Sequence, residues 1–441
     1  MRKRYLFVGV LVLLLAVALV AVACGGTTTT TTGAPSTETT AAPSTTTSAV
    51  AANTTTSAAA PSTETTAAAG PATGQPIKIG LSNSLTGPSA APGASIEKGV
   101  KLQIDYVNAN GGIGGRPLQL IEYDDKSDVP TAIANINKLI QQDQVFATIG
   151  PFAQFMMEPA RQIAEQTQTP MVGDGPATLA QLAGKQYQWS VMTAASPPPQ
   201  ADAVDKIIKA NGWKNVLGLA DVLTIDQETL DSVVKAASAG GYTFTKMADT
   251  FDLTTTDFQP ILNKIMAQYN KLKPDAIVLY VNPLGFPPLY KGLRGLKVTV
   301  PILAGTACAH PAIFSMGPQA VEGALVMDSG GNVNPQALPD SWPSKPLQLD
   351  FAQRYQAQYK SSPDFFAADG ADMVTVLVAA MKQAGAVDKT KVQQALINLK
   401  DLPTLEGLMN FTPSATSEGI HGQMVEWVVK NAQFQLVNTI N

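Results

Sequence analysis

Few residues in this 441-residue chain have types and spacing suited to covalent chemistry. Cys308 and His310 stand two positions apart, after an apolar run ending at Leu303, and a Cys–His pair can supply a thiolate and its base. Ser95-Ile96-Glu97-Lys98 and Ser232-Val233-Val234-Lys235 have the Ser-x-x-Lys spacing of acyl-transfer serines. Both fall inside helical-period segments, however, and no Lys-Thr-Gly accompanies them. Gly111 to Gly115 follows a helical segment rather than a strand, so it lacks the context of a dinucleotide loop, and neither a Gly-x-Ser-x-Gly elbow nor a P-loop occurs. With two Cys and two His in the whole chain, no zinc ribbon, Cys-x-x-Cys redox site or three-His centre can be assembled. The expectation is therefore no catalytic residue, no metal, no cofactor and no enzyme, with Cys308 a small buried side chain and His421 structural in a Gly-rich turn. Thirty Lys and Arg against 34 Asp and Glu leave a net charge of -4 and no basic stripe, which excludes nucleic acid as a natural partner.

Binding chemistry is better supplied. Four loops that follow apolar runs are rich in Gly, hydroxyls and amides: Ser82 to Pro88, Gly150 to Gln154, Gly173 to Thr178, and Asn282 to Phe286. In open α/β sheets ligands sit outside the carboxyl ends of strands, so these loops are where a small molecule is expected. Phe152, Gln154, Thr178, Asn282 and Phe286 combine apolar walls with a few orientable polar groups, as in a pocket for an uncharged amide or an aromatic compound.

The elements that must position these loops read as alternating strands and helices. Apolar runs at 77–81, 118–123, 145–149, 216–219, 242–247, 276–281 and 300–303 are expected strands. Helical periodicity marks 94–108, 130–141, 156–166, 201–210, 227–237, 258–269 and 289–296. Three helices follow near 346–360, 367–384 and 390–399, and two strands near 424–429 and 434–438 close the chain. Alternation of this kind predicts an α/β fold of mostly parallel sheets. Gly111 and Gly112 are expected to take positive φ at a helix end, and Asp124, Asp125 and Asp128 to cap the next helix.

Ahead of the fold lies a leader. Arg2, Lys3 and Arg4 precede an uncharged apolar run from Tyr5 to Ala23, the order of a secretory signal. Ala21-Val22-Ala23-Cys24-Gly25 resembles the lipobox of bacterial lipoproteins, in which Cys24 becomes the lipidated N-terminus; an uncleaved helix anchor is the alternative. Residues 25–74 hold 19 Thr, and Glu38 and Glu64 are their only charges, so they cannot bury enough apolar surface to fold. The nonapeptide Ala34 to Ala42 returns unchanged at Ala60 to Ala68, as expected of an expanded linker. The expected organisation is a lipoprotein signal peptide over 1–24 and a Thr/Ala/Ser/Pro-rich linker over 25–75 that holds an extracytoplasmic domain at the membrane face.

Residues 76–441 resemble the branched-chain amino-acid-binding family of extracytoplasmic solute-binding proteins of ABC transporters. The resemblance is carried by Leu85-Thr86-Gly87-Pro88, by Asn108 to Pro117, by Tyr123-Asp124-Asp125-Lys126-Ser127-Asp128, by Ile149-Gly150-Pro151, by Pro274 to Val278 and by Ala320 to Gly323. It implies the type I periplasmic-binding fold: two lobes, each a mostly parallel sheet flanked by helices, joined by three crossovers. The implied lobes are 76–195 with 325–415, and 196–324 with 416–441. It also implies capture of an amino acid by hinge closure and delivery to a permease; a sensor subunit of the same fold is the alternative. The family's contact loops point to Phe152, Ala153, Gln154, Asp174, Gly175 and Thr178 in the first lobe, and to Ile225, Asp226, Asn282 and Phe286 in the second. The sequence departs from the family where Gln154 replaces a serine, Pro92 a tyrosine, and Leu284 or Gly285 the acid that holds an ammonium. Asp174 or Asp226 could supply that acid from a shifted position.

Overall fold

The structure, a computed structural model, describes residues 70–184, 186–416, 420–421 and 424–440. The expected signal peptide, Cys24 and nearly all of the linker lie outside the described residues. Residues 72–75, the end of the linker segment, lie along the turn after the first helix: Ala72 donates to Asn108 O, and Thr73 and Gly74 donate to Gly115 O.

Five parallel strands form the first sheet, in the order β2-β1-β3-β4-β5. They are β1 (Ile77–Asn83), β2 (Leu118–Asp124), β3 (Ala147–Ile149), β4 (Met171–Gly173) and β5 (Ser190–Met192). Between them run α1 (Ala90–Ala109), α2 (Val129–Gln141), α3 (Gln154–Thr167) and the short α4 (Leu179–Ala183). β1 is buried almost throughout because helices cover both faces, which is why it reads as a continuous apolar run.

After β5 the chain crosses to a second sheet. Its α5 (Pro197–Ala210), β6 (Asn215–Ala220), α6 (Thr224–Gly240), β7 (Thr243–Lys246), α7 (Gln259–Leu272), β8 (Ala276–Tyr280), α8 (Phe286–Gly295), β9 (Ile302–Ala304) and β10 (Leu325–Ser329) repeat the alternation. β10 was not expected as a strand; it pairs with β9, so the chain returns to the first sheet after Ser329 and not at residue 325.

The returning segment supplies α9 (Lys345–Tyr359), α10 (Phe365–Ala384) and α11 (Lys389–Leu396), then a small antiparallel sheet of β11 (Leu402–Thr404), β12 (Gly407–Met409) and β13 (Ile420–His421). A third crossing brings β14 (Met424–Lys430) and β15 (Gln433–Ile440) antiparallel onto the edge of the second sheet, whose order is β15-β14-β10-β9-β8-β6-β7. This is the two-lobe type I architecture with three crossovers.

α10 holds the first lobe together by packing along α1. The two approach closely because glycines face each other's backbone: a Cβ on Gly99 would lie 1.9 Å from Ala367 O, and one on Gly370 would lie 2.4 Å from Ile96 O. Trp427 of β14 is the largest fully buried side chain, and its indole N–H donates to Asp328 at 2.9 Å. Gly111 and Gly112 take φ of 89° and 62° at the end of α1, as expected.

Candidate functional site

The loop after β1 is shaped by carboxylates at the end of β2. Asp124 accepts the backbone N–H of Leu85 (3.1 Å) and Thr86 (3.2 Å) and the Thr86 hydroxyl (2.7 Å). Asp125 accepts from the hydroxyls of Ser82 (3.2 Å) and Ser84 (2.6 Å). Only Asp128 caps α2, accepting from Thr131 N at 2.9 Å, so the capping expectation is corrected for Asp124 and Asp125. They fold the loop back over the strand ends, where Pro88, Ser89 and Pro92 face a cavity of about 230 Å³ between the two sheets.

After β3, Ala153 sits at φ 86° at the N-cap of α3. A left-handed residue with a Cβ is strained, and here it starts α3 where Phe152, Gln154 and Phe155 reach the cavity. After β4, Asp174 and Gly175 line the same wall, and Gly175 takes φ 137°, open only to glycine.

The second sheet answers from its own carboxyl ends. Asp221, directly after β6, accepts from Asn282 N (2.8 Å), Asn282 Nδ2 (3.2 Å) and Leu223 N (3.0 Å), tying the loops after β6 and β8 together. The Asn282 side-chain oxygen, Oδ1, accepts from Leu284 N and Gly285 N, shaping its own turn. Ile225 and Asp226 lie in the first turn of α6 and face the cavity. Gln200 of α5 donates to Ala195 O at 2.6 Å, and its carbonyl accepts from the hydroxyls of Tyr280 and Thr306. α10 enters with its N-terminal end: Asp364 caps it through Ala367 N (2.9 Å), and Phe365, Phe366 and Asp369 complete the wall.

The lobes touch across this cleft. Glu228 of α6 accepts from Leu179 N of α4 at 2.6 Å, and His310 Nε2 lies 3.4 Å from Asp364 Oδ2. The His310 ring stands edge-on to Phe366, which also meets Phe152 and Phe365, with ring centroids 5.2–5.5 Å from its own.

Electrostatically the walls are acidic. Burial pushes the Asp174 carboxyl up to about 7, against hydrogen bonding from Gly175 N. Burial raises Asp369 well above the carboxylate range, and Asp174 and Glu406 beside it add to the rise. Asp226 is raised well above that range by burial, then by the charge of Asp221 and a hydrogen bond with it. Such crowded carboxyls hold protons until a cation replaces them.

Of the expected site residues, the structure brings Phe152, Ala153, Gln154, Asp174, Gly175, Ile225, Asp226 and Asn282 to one cavity. Two of the expected residues do not line it. Thr178 is turned into the capping box of α4, its hydroxyl accepting from Gln181 N while Gln181 bonds back to its N–H, and it leaves the wall. Phe286 opens α8 and is fully buried in the core of the second lobe, because the helix begins earlier than its apolar period suggested. The loop reading missed Asp369, whose signal was an acid in an otherwise apolar helix three residues before a second acid, Asp372.

The Cys–His pair does not form. Cys308 is fully buried, burial raises its thiol well above the usual range, and the thiol donates to Val281 O at 3.4 Å. Both His310 nitrogens are engaged, Nδ1 accepting from Ala312 N and Nε2 facing Asp364. Ser95 donates to Asp364 and Ser232 to Glu228 O, so neither serine meets a lysine. Among the described residues no group of side chains could hold a metal, and no helix is long and apolar enough to cross a membrane.

Comparison with known proteins agrees with this geometry. A leucine-, isoleucine-, valine-, threonine- and alanine-binding protein of Pseudomonas aeruginosa is 24% identical over 359 residues, covering 80% of this chain and 90% of that protein. A leucine-specific-binding protein of Salmonella typhimurium is 33% identical over 132 residues, 30% of this chain and 35% of its own. The crystal structure of a leucine binding protein from Thermotoga maritima superposes with a TM-score of 0.71 at 23% identity, covering 83% of this chain and 99% of that one. A branched-chain amino acid transporter substrate binding protein from Streptococcus pneumoniae, in complex with isoleucine, gives 0.68 at 21%, with coverages of 83% and 99%. The profile of the periplasmic binding protein family matches residues 76–433, and the chain belongs to that family.

Proposed function

We propose that this protein is an exported, lipid-anchored solute receptor that closes two lobes on an amino acid or a related amine and presents it to an ABC permease. The observation that carries the reading is the cavity itself. It lies between the carboxyl ends of two sheets, the place where such sheets bind ligands, and has an aromatic wall and three buried carboxyls. Relatives named for leucine, isoleucine and valine support an amino acid. Asp174, Asp226 and Asp369 are the groups proposed to meet an ammonium, with Gln154 and the first turn of α3 beside it for a carboxylate.

Cys24 is the proposed lipid attachment, and residues 25–75 the tether. The tether's last residues run along the turn between α1 and β2, at the amino ends of the strands.

A thermal-shift screen of the purified protein against amino acids, small amides and aromatic carboxylates tests the reading. A ligand at a hundred times its Kd adds about 2.7 kcal/mol, enough to move the midpoint by several degrees. A screen, extended to simple amines, in which no amino acid or amine moves the midpoint overturns the proposal. Incorporation of labelled palmitate in wild type but not in Cys24→Ala tests the anchor.

A further inference from the structure

We infer that the cleft is built for a protonated amine on an apolar or aromatic body, and that a carboxylate on the ligand is dispensable. This rests on the reading that the cavity is the ligand site.

Asp174, Asp226 and Asp369 reach the cavity from three separate elements belonging to both lobes, and each is at least nine-tenths buried. Two of them are backed by further acids, Asp226 by Asp221 and Asp369 by Glu406. Glu406 is 1% exposed, and its Oε1 has no hydrogen-bond partner. Among the described residues no Lys or Arg lines the cavity, and its one basic side chain, His310, already faces Asp364. Ionising a buried carboxyl without counter-charge is costly, and an entering cation removes that cost at the carboxyl it meets.

Recognition of a carboxylate would need free donors, and several of those on the wall are engaged. Gln200 Nε2 donates to Ala195 O, Asn282 Nδ2 to Asp221 and Thr306 Oγ1 to Gln200. Gln154 and the start of α3 still admit a carboxylate, so an amino acid fits the site without the carboxylate being required. A second observation points to a ligand: Ser329 lines the cavity, is 2% exposed, and its hydroxyl has no partner. That oxygen can accept an N–H from the amine. Phe152, Phe365 and Phe366 add aromatic surface for the ligand body and the faces that attract organic cations.

Calorimetric titration of the full-length purified protein with matched triads tests this. One triad is leucine, 3-methylbutylamine and 4-methylpentanoate; the other is phenylalanine, 2-phenylethylamine and 3-phenylpropanoate. The expected result is that in at least one triad the amine binds as tightly as the amino acid, within about tenfold, while the acid gives no heat. Asp174→Asn and Asp226→Asn, checked for folding by circular dichroism, are each expected to weaken the amine by about ten- to a hundredfold, as loss of a charged hydrogen-bond partner does. Amino acids that bind while their amines give no heat at millimolar concentration would overturn the inference and leave the solute-receptor reading standing. An acid that binds more tightly than its amine overturns it as well. Two triads with no binding member overturn both the inference and the amino-acid reading.

Discussion

Replacing Asp174 by Asn is expected to stabilise the ligand-free protein while weakening its ligand, a combination that a purely structural carboxyl would not produce. Asp174 is 3% exposed, and burial lifts it from 3.8 to about 7. A carboxyl whose pKa is higher folded than unfolded keeps its proton longer in the folded state, so stability is lost as pH rises from the unfolded value through the folded one. The whole loss is about 4 kcal/mol for this group, of which about 3 kcal/mol falls between pH 5 and pH 8. Asparagine has nearly the same shape and cannot ionise, so it removes this fall. Its amide N–H groups need acceptors, which a site that donates Gly175 N to a carboxyl does not fully supply. An imperfect fit costs back about 1–2 kcal/mol, leaving a net gain of about 3 kcal/mol at pH 8 and close to none at pH 5. Asp328 and Asp372 nearby are raised too and keep their own pH dependence in both proteins, whereas Asp369 and Glu406 are raised in part by the charge of Asp174, so its loss eases their pH dependence in the same direction. Urea unfolding of wild type and Asp174→Asn across pH 5 to 8 measures the difference directly. Equal pH slopes for the two, or an Asn variant less stable than wild type at pH 8, would refute the reasoning.

Four further outcomes are expected. Gly99→Ala forces α1 away from α10, because its Cβ would meet Ala367 O at 1.9 Å; a loss of about 3 kcal/mol is expected in urea unfolding, and a neutral result would show that the crossing can shift. Thr178→Ala removes the cap of α4 and costs about 1 kcal/mol of stability with ligand affinity unchanged, so a tenfold loss of affinity in titration would return Thr178 to the site. Gln154→Ala is expected to weaken ligand binding without lowering the unfolding midpoint, and unaltered affinity would remove Gln154 from the contact set. His310→Ala deletes a contact that joins the lobes, so small-angle scattering is expected to show a larger radius of gyration than wild type at the same subsaturating ligand concentration. Superposable profiles would mean that closure does not lean on that pair.

Much of the scaffold was legible because its elements obey local rules. β1 and β8 are short apolar runs between turn residues, and α2 and α7 carry a clear apolar period. The errors cluster at helix starts. α5, α6 and α8 each begin three or four residues before their apolar period becomes visible, and proline, which reads as a break, is at home in the first turn of α5 and α8. That shift decided two site questions, moving Asp226 onto a helix and Phe286 into the core. β5, β10 and the β11–β13 sheet escaped notice because strands of two to five residues do not show a period, and β10 ends in Asp328 and Ser329.

What the sequence determined by itself was the class of protein and the loops that line its cleft. Alternating strands and helices force parallel sheets, and parallel sheets put their carboxyl-end loops together, whatever the details of packing. It also pointed to Asp174 and Asp226 as acids available for an ammonium. Tertiary structure alone decided that these acids share a cavity with Asp369, since α10 reaches the cleft only by crossing back from the second sheet and packing on α1 through Gly99 and Gly370. It alone placed Ala153 at a left-handed φ and parted His310 from Cys308 by giving each a different partner. Periodicity records which face of an element is buried; which distant side chain meets that face depends on chain crossings that no local pattern encodes.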